Sequence, residues 1–326
     1  MFPELIEKMR CPVSGQRLKL KSEEGSIGPV DTGYLISVDG RNRYPIRNGI
    51  PRFVSEENYA ESFGMQWDLF PDTQLDSCSG HPISANRFWN ATGWQPEQLK
   101  NAWVLDVGCG AGRFAEVALQ AGAKVIAIDC STAIDVCRQN LSDWDRLYPI
   151  QGDIYSLPLE LGMFDYVYSI GVSQHTPDVR RAFEALPPML SSEGYLCVDF
   201  YEKSWRTKFL PKYLLRRLTK KMRNETLLRV LKILVPMMLP LSRLVGLVPV
   251  YGSLLRRLLP VACYYGDLPL NHRQQREWAL LDTFDWLSPD HDNPQTESDV
   301  REWIEQAKLK DIEVIRAGHL VTRGHR

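Results

Sequence analysis

Hydrophobic positions follow two rhythms along the chain. From 101 to 202, short apolar runs (102–107, 124–129, 147–152, 164–170 and 195–201) alternate with stretches whose apolar residues recur every three or four positions (112–121, 132–141 and 178–190). The short runs read as strands and the longer-period stretches as amphipathic helices. Such alternation predicts a parallel sheet with helices on both faces. A helix at 297–308, a strand at 312–315 and an extended run at 319–322 continue the unit, the last as an antiparallel partner. The expected fold is α/β, with a mostly parallel sheet and an antiparallel C-terminal strand.

Outside 101–202 the pattern changes. Residues 1–55 hold short apolar runs split by Gly, Pro, Asp and Asn, which are hairpin signals, and are read as a small β-rich module. Residues 56–100 are read as a helical linker or cap, on which Phe63, Trp67, Phe70, Phe88, Trp89 and Trp94 look exposed. Residues 203–280 form a basic, aliphatic insertion or lid. Pro236, Pro240, Pro249, Gly246 and Gly252 are expected to cut it into short helices. Residues 281–326 return to the core.

Composition adds little except for charge. The 326 residues are 44% apolar with a net charge of −1, ordinary for a globular protein. Yet residues 203–260 carry fourteen Lys and Arg against one acid, Glu225. The neutral total therefore conceals a strongly basic insertion. The acidic opening lacks the basic and apolar parts of an export signal. Seven scattered cysteines, never in a Cys-x-x-Cys pair, suit reduced thiols and a cytoplasmic location.

The stretch from Cys11-Pro12 to Tyr44-Pro45-Ile46-Arg47-Asn48-Gly49-Ile50-Pro51 resembles the zinc-ribbon-like module found beside or ahead of many methyltransferases. That module's metal site needs two Cys-x-x-Cys knuckles. Ser14 stands in the second ligand position here and the second knuckle is missing. One thiolate cannot complete a tetrahedral zinc site, so no metal is expected.

The sharpest motif is Val104-Leu105-Asp106-Val107-Gly108-Cys109-Gly110-Ala111-Gly112, a strand running into a glycine turn that opens a helix. Gly108 and Gly110 let the backbone turn tightly and touch a ligand. A dinucleotide fold would place its third glycine at 113, where Arg113 stands. Asp129 ends the next strand, about twenty residues on, where a carboxylate accepts from ribose hydroxyls. Asp153 follows the third strand, and Asp165 opens the fourth, where it is expected to cap or pair.

This order resembles the class I S-adenosylmethionine-dependent methyltransferases over roughly residues 100–202. The resemblance implies their Rossmann-like sheet and S-adenosylmethionine as cofactor. It further implies that Asp106 and the turn Gly108, Gly110 and Gly112 face the methionine part, that Asp129 holds the ribose, and that Asp153 with the Ile154 backbone reads adenine. Arg113 lies near the expected donor carboxylate.

Acceptor signals are weaker. His175 follows the fourth strand, at the edge where open α/β sheets bind ligands, and imidazoles titrate near neutral pH. It is the candidate general base, ahead of Tyr201, Asp199, Tyr264 and Tyr265. Methyltransferases of exocyclic base amines usually carry Asn/Asp-Pro-Pro-aromatic after the fourth strand. Ser169-Ile170-Gly171-Val172 stands there instead, which argues against base N-methylation. The segment from Thr283 to Thr296 resembles one in bacterial methyltransferases of glycan and natural-product pathways, with Phe284 and Trp286 as possible walls.

The reading is therefore an enzyme that methylates a small molecule or a glycan or lipid-linked acceptor, most naturally on oxygen. Its alternatives are an RNA methyltransferase and a non-catalytic donor-binding scaffold. For the insertion, contact with an anionic membrane at the inner face, a plain helical cap and an RNA surface all stay open, although nucleic acid is not the favoured partner.

Overall fold

The structure, a computed structural model, describes residues 3–22, 30–55, 58–204, 211–256 and 258–326. Its centre is a seven-stranded sheet. The strands are β5 (Trp103–Val107), β6 (Lys124–Asp129), β7 (Leu147–Gln151), β8 (Phe164–Ser169), β9 (Leu190–Phe200), β10 (Lys310–Ala317) and β11 (His319–His325). They lie in the order β10-β11-β9-β8-β5-β6-β7. Five strands pair in parallel, and β11 runs antiparallel to both its neighbours. Chain order reverses between β5 and β8, so their carboxyl ends flank the crevice where such sheets take ligands.

Side-chain alternation builds two cores. Val104, Val125, Ala127 and Tyr168 face one way, against α4 (Ile83–Thr92), α5 (Arg113–Gln120) and α6 (Ala133–Asn140). Leu105, Ile126, Ile128 and Val198 face the other, against α7 (Val179–Glu184) and α12 (Glu297–Gln306). Fully burying one such aliphatic side chain contributes about 1.5–3 kcal/mol.

The N-terminal segment packs into the second core. Helix α1 (Pro3–Lys8) precedes a four-stranded antiparallel sheet of β1 (Leu18–Ser22), β2 (Gly33–Ser37), β3 (Arg43–Arg47) and β4 (Ile50–Pro51). Leu5, Met9, Leu35 and Ile46 join the same cluster as β5 and β6. Beyond β4, Phe53 donates its amide to Gln151 of β7 at 2.8 Å, and Arg52 pairs with Asp135 at 2.6 Å. The open edge of β7 is thereby covered, as edge strands require. Cys11 is buried, 3.2 Å from the Tyr44 hydroxyl.

Several expectations are corrected. The aromatics at 63–94 are not exposed: Phe88 is fully buried, Phe70 and Trp94 nearly so, and the others half-buried. Phe88 and Trp94, with Trp89 packed on them, belong to the first core; Phe63 and Trp67 lie on α2 (Glu61–Leu69), which α3 (Asp76–Ser79) links to α4. The helix expected over 178–190 stops at Glu184, because Pro187 and Pro188 lack amide hydrogens and start a 3-10 turn. Strand β9 then begins at Leu190, five residues before the expected 195.

The insertion is not cut into short pieces at Pro236 and Pro240. After α8 (Pro211–Thr219), helix α9 runs unbroken over Asn224–Gly246 with both prolines inside. They sit four residues apart on one side, half-buried and exposed, so water can take the carbonyls they leave unpaired. The chain does break at Gly246 and Gly252, before α10 (Gly252–Arg256). Helix α11 (His272–Leu287) spans residue 280, so no element ends where the insertion was expected to finish. Leu227, Leu231, Val235, Phe284 and Leu287 form a third core between α9 and α11. Of the basic residues, Arg216 is buried and bonds the carbonyls of Trp286 and Pro289 at 3.0 and 2.8 Å, while Lys212 pairs with Asp292 at 3.0 Å. Arg206, Lys208 and Arg257 lie outside the described residues.

Candidate active site

At the carboxyl ends of β5, β6 and β8 lies a cavity of 580 Å³, within the range of roughly 300–1,000 Å³ typical of small-molecule sites. One end is built from backbone. The chain leaves β5 through Gly108 at φ +83° and Gly110 at φ +53°. A β-carbon on Gly108 would sit 2.4 Å from both Val172 methyls, and one on Gly110 would sit 2.9 Å from Trp67 Nε1. Both positions therefore demand glycine. Gly112, at φ +94°, begins α5 from beneath the cavity, against Leu141 and Cys137.

Asp129 lies in the cavity wall at the end of β6. One carboxylate oxygen accepts from the Gly110 amide at 2.8 Å, the other from the Ser131 amide and hydroxyl at 2.8 and 2.7 Å. Strand end and glycine turn are thus locked to each other. Burial raises the Asp129 pKa, against the pull of those three donors. Gly152 and Ile154 continue the wall. Asp153 itself stands just behind them, accepting from the Tyr155 amide at 3.0 Å and the Tyr59 hydroxyl at 3.3 Å.

Asp106 is buried under the turn rather than in the wall. One of its oxygens has no hydrogen-bond partner among the described residues, and the Tyr168 hydroxyl approaches without closing a bond. Burial pushes its pKa up to about 8. Asp165 accepts from the Trp103 amide at 2.8 Å and pins β5 to β8, the pairing role expected of it.

The other end is made of side chains from distant segments. His175 is 6% exposed and lines the cavity, with its Nδ1 3.1 Å from the His291 carbonyl oxygen. A carbonyl only accepts, so this bond requires the proton on Nδ1, and in the neutral ring Nε2 is then the atom that bears the lone pair. The rings of Phe63 and Tyr201 pack edge-on at 5.1 and 5.5 Å. Tyr201 and Tyr264 line the same cavity, whereas Tyr265 turns to His272. Asp199 accepts from Arg87 at 2.9 Å on one oxygen and from the Gly171 amide at 2.5 Å on the other, so it braces the loop after β8. His319 also lines this end, and burial holds it below the ordinary imidazole range.

Sequence reasoning missed Arg87, Asp282 and Asp285. Asp282 accepts from Tyr264 and, at 3.1 Å, from Gln74. Burial, with Asp285 adding to it and Tyr264 opposing, raises its pKa to about 6. The signal was present: Trp278, Leu281, Asp282, Asp285 and Trp286 recur at helical spacing on one face of α11, and all line the cavity. Phe284, paired with Trp286 as a candidate wall, is fully buried in the third core instead.

Arg113 bonds Ser84 at 2.9 Å and Gln74 at 2.9 Å and lies over the Phe114 and Trp278 rings. Among the described residues no carboxylate pairs with it. Burial and the nearby Arg87 lower its pKa to about 9, which leaves it charged at neutral pH.

Residues 105–198 match the protein family described as a methyltransferase domain. With the glycine turn, the strand-end acid and the sheet order, that match identifies a methyltransferase domain over this stretch. The chain carries a class I S-adenosylmethionine-dependent methyltransferase domain. Ubiquinone biosynthesis O-methyltransferase of Bartonella quintana is 29% identical over 128 residues, 37% of this chain and 52% of the relative. Its counterpart in Coxiella burnetii is 31% identical over 111 residues, 33% of this chain and 47% of the relative. The chain thus spans about half the length of the curated relatives it matches. A structure described as a putative S-adenosylmethionine-dependent methyltransferase from Methanococcus maripaludis aligns with TM-score 0.44 at 15% identity, covering 83% of this chain and 94% of that one.

The cavity suits the donor of this domain. The glycine cradle would be filled by any β-carbon, and a half-buried carboxylate stands at the end of β6.

Proposed function

We propose that the chain transfers the methyl group of S-adenosylmethionine to an oxygen of a small-molecule or glycan or lipid-linked acceptor bound at the α11 end of the cavity. The observation that carries this reading is that one continuous cavity joins the glycine turn to a polar, aromatic end that includes His175. The names of the O-methyltransferase relatives favour oxygen as the receiving atom.

In this reading Asp129 accepts from the ribose hydroxyls. The Ile154 backbone reads adenine together with Asp153, which Tyr59 holds in place. The backbone of Gly108 and Gly110 touches the methionine part, and Arg113 takes its carboxylate. Gly112 and Asp106 act from below by holding the turn in shape. When bound, the donor supplies a methyl group activated by a positively charged sulfur. The protein's remaining tasks are positioning and exclusion of water. Trp67 covers the turn and Phe63 packs on His175, while Asp282, Asp285 and Arg87 orient acceptor hydroxyls. His175 Nε2 takes the hydroxyl proton, with the His291 carbonyl fixing its tautomer.

Donor carrying a labelled methyl group, offered to glycolipid, metabolite and RNA fractions, tests the proposal. Base-stable label in the glycolipid or metabolite fraction supports it. Label in RNA alone, or tight donor binding with no transfer to any fraction, defeats it.

A further inference from the structure

Helix α9 carries two apolar stripes, and only one is buried against other described residues. Leu227, Leu231, Val235 and Leu239 are buried in the core shared with α11. Val230, Ile233, Met237, Leu241 and Leu244 recur at the same helical spacing on nearly the opposite side, Ile233 and Met237 being 67% and 70% exposed. Past the helix end Leu247, Val250 and Leu254 are exposed as well, the first two at 72% and 89%. Of twenty exposed large apolar side chains among the described residues, fourteen lie between 214 and 258. Scattered exposed apolar residues need no explanation, but a concentration of this kind does.

Charge identifies the occupant. Arg229, Lys232 and Arg243 follow one another along one flank of the stripe, all exposed, and Arg217, Lys220 and Lys221, at and just after the end of α8, are exposed too. Glu225 is the only acid in 203–260. A second copy of the chain would set this basic border against itself. RNA would need aromatic platforms for its bases, and Tyr251 is the one exposed aromatic in the described part of the segment. An aliphatic stripe with a Lys/Arg flank instead matches a helix lying in a membrane interface, apolar side down and basic groups toward anionic headgroups. No helix among the described residues is long and apolar enough to cross a membrane.

We propose that α9 docks the protein, through this second stripe, on an anionic lipid bilayer. The buried stripe of α9 packs on α11, whose other face walls the cavity through Trp278, Asp282 and Trp286. Docking therefore lays α9 on the lipid, with α11 and the acceptor end of the site in the layer behind it. Resting on the proposed methyl transfer, this points to an acceptor with a lipid anchor and a hydroxylated head.

The test is co-sedimentation of the full chain with mixed phosphatidylglycerol–phosphatidylcholine vesicles and with pure phosphatidylcholine, at low and raised salt. The chain is expected to bind the anionic vesicles, and to bind them less well as salt screens the basic flank. The double variant Ile233→Glu, Met237→Glu should bind them at least about tenfold more weakly, since each buried side chain of that size is worth roughly a decade. Its donor affinity should be unchanged, because both side chains are exposed. Wild-type protein that ignores anionic vesicles, or a variant that binds as tightly, overturns the docking. So does a dimer in sedimentation velocity that the variant abolishes, or RNA capture without vesicle binding. Donor calorimetry on the same samples separates this failure from failure of the methyl-transfer reading.

Discussion

The two ends of the cavity are assembled by different means. The donor end is local: a glycine turn, the acid at the end of the neighbouring strand and a short turn after the third, all within 104–154. Their mutual bonds, Gly110 to Asp129 and Ser131 to Asp129, are short-range consequences of parallel strands side by side. The acceptor end draws Arg87 from α4, His175 from the loop after β8, Tyr264 and Asp282 from the insertion and its following helix, and His319 from β11. Backbone geometry specifies the first end and side chains specify the second. Damage to each should therefore appear in a different measurement.

The largest expected effect is at the acceptor end. His175→Ala should lower turnover by roughly 10²–10⁴ if Nε2 takes the acceptor proton. Steady-state kinetics with the acceptor found by label transfer would measure this. A variant that keeps most of its turnover removes His175 from the chemistry.

At the donor end, Gly108→Ala should cost about 1–3 kcal/mol of stability, because alanine is strained at positive φ. Its β-carbon also strikes Val172. Donor affinity should fall by at least about tenfold. Adding Val172→Ala should restore part of both losses in urea melts and calorimetry. No loss in the single variant would mean that the turn is not as tight as described.

These contrasts explain what could be read in advance. The strands β5 to β8, their helices and the placing of Asp129 at a strand end beside the glycine turn follow from period and from a contiguous motif, so they were legible. Asp106 shows the limit: the motif places it on the turn, but only the packing of Tyr168 and the sheet shows that it lies beneath the wall, buried and short of a partner. Arg87 and Asp282 have no local motif. They become site residues because a tertiary contact brings α4 and α11 to the same crevice. The unbroken α9 was hidden for a related reason. Proline propensity argued for a break, while burial of Leu227, Leu231, Val235 and Leu239 on α11 holds the helix together.

Asp106 gives a smaller, pH-dependent prediction. Its folded pKa of about 8 is above the ordinary value of 3.8. The stability it contributes is thus present below 3.8 and is lost as pH rises through about 8. Asp106→Asn cannot ionise, so its stability relative to wild type should climb across that window. Urea denaturation at a series of pH values would show the climb, and a flat difference would mean the carboxyl is not held neutral.

The most direct test of the two-ended site is calorimetric titration with S-adenosylhomocysteine. Wild type should bind. Asp129→Ala should bind at least about tenfold more weakly, given roughly 1.5–3 kcal/mol for a hydrogen bond to a charged group. His175→Ala should bind as wild type does. Wild-type protein without affinity, an Asp129→Ala variant with full affinity, or a loss confined to His175→Ala would contradict the account.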